Sequence, residues 1–234
     1  MGDSDRRRGL LWPTVITALG VLILVGLGTW QLHRLAWKEK IVRSIEAHST
    51  APVLDGLPDD VPPAELAFRH VRLTGTFLHD KEMYLTGRTH KGVVGLHVVT
   101  PLRLEDGRIV LVDRGWVPPD RAEPRLRSEG LSDEPVEVEG MIRTKAHRGP
   151  LTPDNRPDQN LWFHINVSEM AKYAGVALLP FYVEAGSAVN PGGYPVGSDR
   201  PIEVRNDHLQ YAATWYALAV ALVVIYVVYR RRQR

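Results

Sequence analysis

Two uncharged apolar runs stand near the ends of the chain, Leu10 to Trp30 and Leu209 to Tyr229, and between them the hydrophobic positions switch to a period of two. Each run is 21 residues long. At about 1.5 Å rise per residue such a run crosses the roughly 30 Å hydrocarbon core of a bilayer, so both are expected to be transmembrane helices. The second starts behind Asn206 and Asp207, both good N-cap residues, and stops at Arg230, Arg231, Arg232 and Arg234, which belong in water or among headgroups. The first follows Arg6, Arg7 and Arg8. Its core is longer than the about 7–15 apolar residues of a signal peptide, and no small-x-small cleavage site follows, so it reads as an uncleaved anchor. Pro13 is expected in its first turn, where a missing N–H costs nothing.

On a helical wheel Ala213, Ala217 and Ala221 share one face of the second span at small-xxx-small spacing, the pattern that admits a neighbouring helix backbone. Gly20 and Gly26 of the first span are the expected close-packing partners. His208, Ala212, Trp215 and Ala219 fall roughly opposite, a face with a ligand atom, small residues and an aromatic plane. His208 has two readings. It is an interfacial histidine hydrated among headgroups, or an axial ligand to a metal macrocycle.

Beyond the first span, Trp30, Trp37, Ile41 and Ile45 keep near-helical spacing among charged residues, which continues the helix along the interface, with both Trp at headgroup level. The alternative is a helix that packs on the following domain. Leu54 to Pro63, rich in Pro, Asp and Gly, reads as loop. Alternation then predicts strands at Val71–Phe77, Glu82–Arg88, Val93–Leu104, Arg108–Val117, Val136–Arg143, Leu161–Ile165, Phe181–Glu184 and Ile202–Arg205. Asp106-Gly107 is a strong hairpin signal. One short helix, Ser168 to Ala174, takes Ser168 as its cap. The fold class is an α+β membrane protein, two transmembrane helices flanking a β-rich domain, barrel-like or sandwiched, outside the cytoplasm.

Charge sets the orientation. The segment from Gln31 to His208 holds 22 Lys/Arg against 25 Asp/Glu, a net of −3, so the basic excess lies at the two ends. A nucleic-acid partner needs a clustered basic face on the folded domain, and none is indicated. The arginines after Tyr229 instead hold the C-terminus in the cytoplasm, and with two spans the N-terminus too. The expected layout is residues 1–9 cytoplasmic, 10–30 transmembrane, 31–208 periplasmic, 209–229 transmembrane and 230–234 cytoplasmic. The chain has no cysteine, which excludes disulfides, thiolate metal sites and covalent c-type haem.

Enzyme signatures are missing: there is no GxSxG, HExxH, Walker A or dinucleotide-binding glycine motif. His70, His79, His90 and His97 fall in neighbouring strands and could converge on a metal, although alternation separates such positions between two sheet faces. Asp113-Arg114-Gly115-Trp116-Val117 reads either as a buried ion pair beside a packed Trp or as one wall of a ligand pocket.

Four motifs in order carry a resemblance: Gly28-Thr29-Trp30-Gln31-Leu32 with Arg34, Trp37 and Lys38; Val98-Val99-Thr100-Pro101-Leu102; Val112-Asp113-Arg114-Gly115-Trp116-Val117-Pro118; and Asn206-Asp207-His208-Leu209-Gln210-Tyr211-Ala212 leading into Thr214-Trp215-Tyr216. Over Gly26 to Tyr229 the chain resembles the surfeit locus (Surf-one or Shy-one) family of cytochrome c oxidase assembly factors. The resemblance implies a multi-pass membrane chaperone of respiratory complex IV that is not an enzyme. It implies haem a as transiently bound cargo, with cytochrome c oxidase subunit I and a haem a synthase as partners. His208 becomes the haem iron axial ligand, and Tyr211, Ala212 and Trp215 its cofactor-binding neighbours. A haem-free scaffold that stabilises oxidase assembly intermediates by protein contacts is the alternative. With no transit peptide ahead of Arg6, the chain is similar to a bacterial member, placed in the cell inner membrane.

Overall fold

The computed structural model describes residues 3–59, 61–144, 148–198 and 206–232. The chain forms two compact units, Met1–Ser44 with Ile202–Arg234, and Ile45–Pro201.

Within the first unit, the two apolar runs belong to helices α1 (Asp3–Ser49) and α4 (His208–Arg232), both long and apolar enough to cross a membrane. Helix α1 runs without a break through the basic stretch after Trp30, because nothing between Gln31 and Ser49 is a Gly or Pro. Pro13 therefore sits ten residues inside the helix, where it removes one backbone hydrogen bond, and not in the first turn. Trp30 and Trp37 both keep more than half their surface exposed, and the Arg34 guanidinium lies 3.9 Å over the Trp37 ring.

The pairing of α1 with α4 runs antiparallel and uses Gly20 as expected, but on α4 it runs through the face opposite Ala213, Ala217 and Ala221. On α4 the covered or half-covered positions are His208, Ala212, Trp215, Tyr216, Ala219, Leu222 and Tyr226, a 3–4 alternation with Tyr216 beside Trp215. On α1 they include Pro13, Thr17, Gly20, Leu24, Leu27, Gly28 and Gln31. This is the period of a left-handed helix pair. Ala213, Ala217 and Ala221 are exposed, and a Cβ on Gly26 would meet nothing within 4 Å, so neither belongs to the contact. A Cβ on Gly20 would stand 2.9 Å from Leu222, and one on Gly28 would stand 2.9 Å from the Tyr216 ring. Those two glycines are where the helices approach closely.

The second unit is one sheet with two apolar faces. After the short strand β1 (Leu54–Asp55), inside the expected loop, comes a helical turn, α2 (Pro63–Leu66). Then follow β2 (His70–Phe77), β3 (Met83–His90), β4 (Val93–Leu104), β5 (Ile109–Val117), β6 (Val136–Arg143), β7 (Leu161–Trp162), α3 (Val167–Ala174) and β8 (Tyr182–Ala185). The order is β1-β2-β6-β8-β5-β4-β3-β7, and β2 pairs a second time with the far end of β4, Phe77 opposite Leu102, so the sheet folds over on itself in sandwich fashion. Val71, Leu73, Leu102, Val110, Val112, Ile142 and Val183 pack on one side. Met83, Leu85, Val99, Leu111 and Trp162 pack on the other, under Met170 and Ala174 of α3.

Local chemistry explains the joins. Asp106 accepts from the Arg108 N–H at 2.8 Å and Gly107 takes φ +86, which turns β4 into β5 as the hairpin signal predicts. Asn166, not Ser168, caps α3: its side chain accepts from the Glu169 N–H, and the helix starts one residue early. The expected strand at Ile202–Arg205 lies outside the described residues.

Candidate functional site

His208 is the first residue of α4, and across the helix pair its Nδ1 lies 2.7 Å from Oε1 of Gln31 on α1. A carbonyl oxygen only accepts, so the proton of the neutral ring is on Nδ1 and the lone pair is on Nε2. Both side chains are half-buried. This is the arrangement by which an outer partner fixes the tautomer of a ligating imidazole.

The other sequence-predicted residues divide. Trp215, two turns along from His208, is half-buried in the same stripe. Ala212 is 1% exposed and sealed, while Tyr211 is 56% exposed. His208, Tyr211 and Trp215 thus keep accessible surface, and Ala212 does not. Two tyrosines missed by the sequence reading hold the pair together further down. The Thr29 hydroxyl donates to the Val25 carbonyl at 2.9 Å, so the Tyr216 hydroxyl, 3.0 Å away, donates to Thr29. Tyr226 and Thr14 are 2.5 Å apart. Gln31 and Thr29 stand in the first of the four motifs, which was the available signal.

In the β domain the polar residues singled out by the sequence separate. Asp113 and Arg114 are adjacent on β5 and point to opposite faces, so they make no pair with each other. Asp113, 6% exposed, accepts from the Gly115 N–H at 3.1 Å and holds Nδ1 of His97 at 3.0 Å. Gly115 takes φ +112 at the bulge where β4 and β5 shift register, and Val196 lies too close to it for any Cβ. Arg114, 3% exposed, donates to the Gly130 carbonyl at 2.9 Å and stacks 4.3 Å over Phe77. Burial pulls its pKa down to about 10.

The four strand histidines do not converge. His79 faces the Ser132 carbonyl at 3.0 Å, His90 stacks on Trp116 with ring centres 5.2 Å apart, His97 belongs to Asp113, and His70 lies on β2 opposite Met141. Among the described residues no cluster of three or more His, Asp or Glu could hold a metal ion. The sequence also gives no sign of a fully buried pair, Glu82 with Arg127, joined two-pronged through the two terminal guanidinium nitrogens.

Comparison with known proteins comes down on the same chain-wide pattern. The SURF1 family profile matches residues 18–220. A SURF1-like protein of Monosiga brevicollis is 37% identical over 98% of this chain and 90% of its own length. Surfeit locus protein 1 of Homo sapiens is 33% identical, covering 86% of this chain and 73% of its own. A SURF1-like protein of Rickettsia conorii is 34% identical, covering 90% and 88%.

Proposed function

The chain belongs to the SURF1 family, and from that premise we propose that it assists the assembly of cytochrome c oxidase, holding haem a for delivery to subunit I, with His208 as the iron ligand. The observation that carries this reading is the 2.7 Å hydrogen bond from His208 to Gln31. It directs the lone pair to Nε2, the atom an iron would take, and it does so at the end of a helix pair long and apolar enough to cross a membrane. Tyr211 and Trp215 supply aromatic surface beside it, and Ala212 serves by letting α1 come close. The residues fit a macrocycle with a single nitrogen donor.

Each residue has a task in holding and releasing cargo. Gln31 fixes the tautomer and ring orientation of His208. His208 supplies one axial nitrogen, and a single ligand is exchanged more readily than two when the receiving subunit offers its own histidines. The role is that of a carrier and needs no catalytic group. In the proposed topology Arg230 to Arg232, with Arg234 after them, keep the C-terminus in the cytoplasm, the β domain is periplasmic, and His208 sits at the outer leaflet of the inner membrane.

The test is an absorption spectrum of the detergent-purified protein from cells able to make haem a. Wild type should carry haem a, and His208→Ala, at equal abundance, should lose it. Haem content undiminished by the substitution would remove His208 from the site, and haem-free wild type would favour a scaffold acting by protein contacts alone.

A further inference from the structure

Among the described residues Arg114 is a buried cation without an ion-pair partner, the Glu82 charge acting on it only from a distance. Among the described residues no carboxylate comes within ion-pair reach of it, and the buried Glu82 is committed to Arg127. Its Nε has no hydrogen-bond partner. Its other contacts are the Gly130 carbonyl, the Phe77 ring, and Nδ1 of His79 at 3.5 Å, at the outer limit of a hydrogen bond. Taking a guanidinium out of water this far is unfavourable unless an anion meets it.

Such a place lies beside it. Arg114 lines a cavity of about 220 Å³ whose walls include Phe77, Val136, Val138, Ala185 and Pro191. A cavity of roughly 150 Å³ takes a benzene ring, so this one has room for a ring and a short acidic arm. The other charged groups that line it are Glu129, Glu137 and Glu139, all exposed, and the last two stand beside Arg72 at 3.6 and 3.2 Å. Three carboxylates on the outer side repel a multiply charged anion, while one buried guanidinium among apolar walls matches a single negative charge on an apolar body.

We propose that this cavity is a binding site for a small monocarboxylate with a compact apolar body, its carboxylate meeting Arg114. The proposal is independent of His208 and of haem. It gives the Asp113-Arg114-Gly115-Trp116 motif a second use: the register shift at Gly115 supports His97 and Asp113 on one face while Arg114 serves the cavity on the other.

The experiment uses the full chain in lipid nanodiscs and titration calorimetry with three probes of one shape: 3-phenylpropionate, 3-phenylpropanol and 3-phenylpropyl phosphate. The carboxylate should bind once per chain, about tenfold or more tighter than either the alcohol or the phosphate. Ala185→Leu, which takes up cavity volume and leaves the Arg114 charge in place, should abolish that binding with the melting temperature preserved. Arg114→Met should erase the preference over the alcohol; if that variant does not fold, Ala185→Leu decides. No saturable carboxylate binding, an alcohol or phosphate that binds as well, or full binding in a folded Ala185→Leu protein would each overturn the proposal.

Discussion

The ring of Tyr216 on α4 stands where a side chain on Gly28 of α1 would have to go, its nearest atom 2.9 Å from an ideal Cβ, and its hydroxyl donates to the neighbouring Thr29. One tyrosine thus reads both a missing side chain and a hydroxyl on the partner helix. In lipid, where apolar burial gives no preference for helix over hydrocarbon, close contact and such bonds are what hold a pair together, at about 0.6 kcal/mol per hydrogen bond.

Gly28→Leu should therefore separate the helices and lower accumulation in membranes, while Gly26→Leu, which meets nothing, should not. Cysteines placed at 20 and 222 should cross-link, and cysteines at 26 and 217 should stay unlinked. Quantitative blotting of membranes and the cross-linking gel check both. Cross-links at 26 and 217 would restore the alanine face that the structure exposes.

Much of this molecule was legible because hydrophobic period is a strong signal over long segments. Val93–Leu104 and Val136–Arg143 are observed with the predicted bounds, and both apolar runs lie within single helices. The helix-pair face was not legible, since Ala213, Ala217 and Ala221 form a small-residue stripe as regular as Ala212 and Ala219, and the choice between them depends on the partner helix. Gln31 lies 177 residues from His208 along the chain, so no spacing rule connects them. Asp113 and Arg114 misled for a simpler reason, because neighbours on a strand face opposite ways.

The Glu82–Arg127 pair, buried where the chain enters β3, gives a stability test. Removing one partner leaves a bare charge inside the domain, so Glu82→Gln and Arg127→Met should each cost about 3–5 kcal/mol. The double substitution should recover most of that loss, since no charge is then stranded. Chemical unfolding of the full chain, followed by Trp fluorescence, measures the cycle. A double variant as unstable as the sum of its singles would mean that the two residues act separately.

His79 sets a pH dependence. Burial, chiefly, and the Arg114 charge hold its pKa below the ordinary histidine value, so the folded state binds this proton less readily than the unfolded chain does. Stability from this group is fully present above the unfolded pKa of about 6.5 and is lost as pH falls through the folded value. Thermal melts of wild type should drop between pH 7.5 and pH 5.5 by more than those of His79→Gln. Equal drops in the two proteins would show that other groups carry the acid sensitivity.

Gln31 gives the most discriminating prediction for the proposed ligand site, because it touches no cargo and acts only through His208. With Gln31→Leu the Nδ1–H loses its acceptor, the ring is free to turn, and either nitrogen can carry the proton. Outer partners of ligating histidines are worth about 10–100-fold in affinity, so haem a content should fall by a factor in that range without the complete loss expected for His208→Ala. Gln31→Glu keeps an acceptor of the same reach and should retain binding, and its charge should make the imidazole more basic and shift the haem absorption bands. A purely structural Gln31 would lower protein abundance in Gln31→Leu and leave the haem bound per folded chain unchanged. The ratio of haem absorbance to protein, measured alongside the band positions in all four proteins, separates these outcomes.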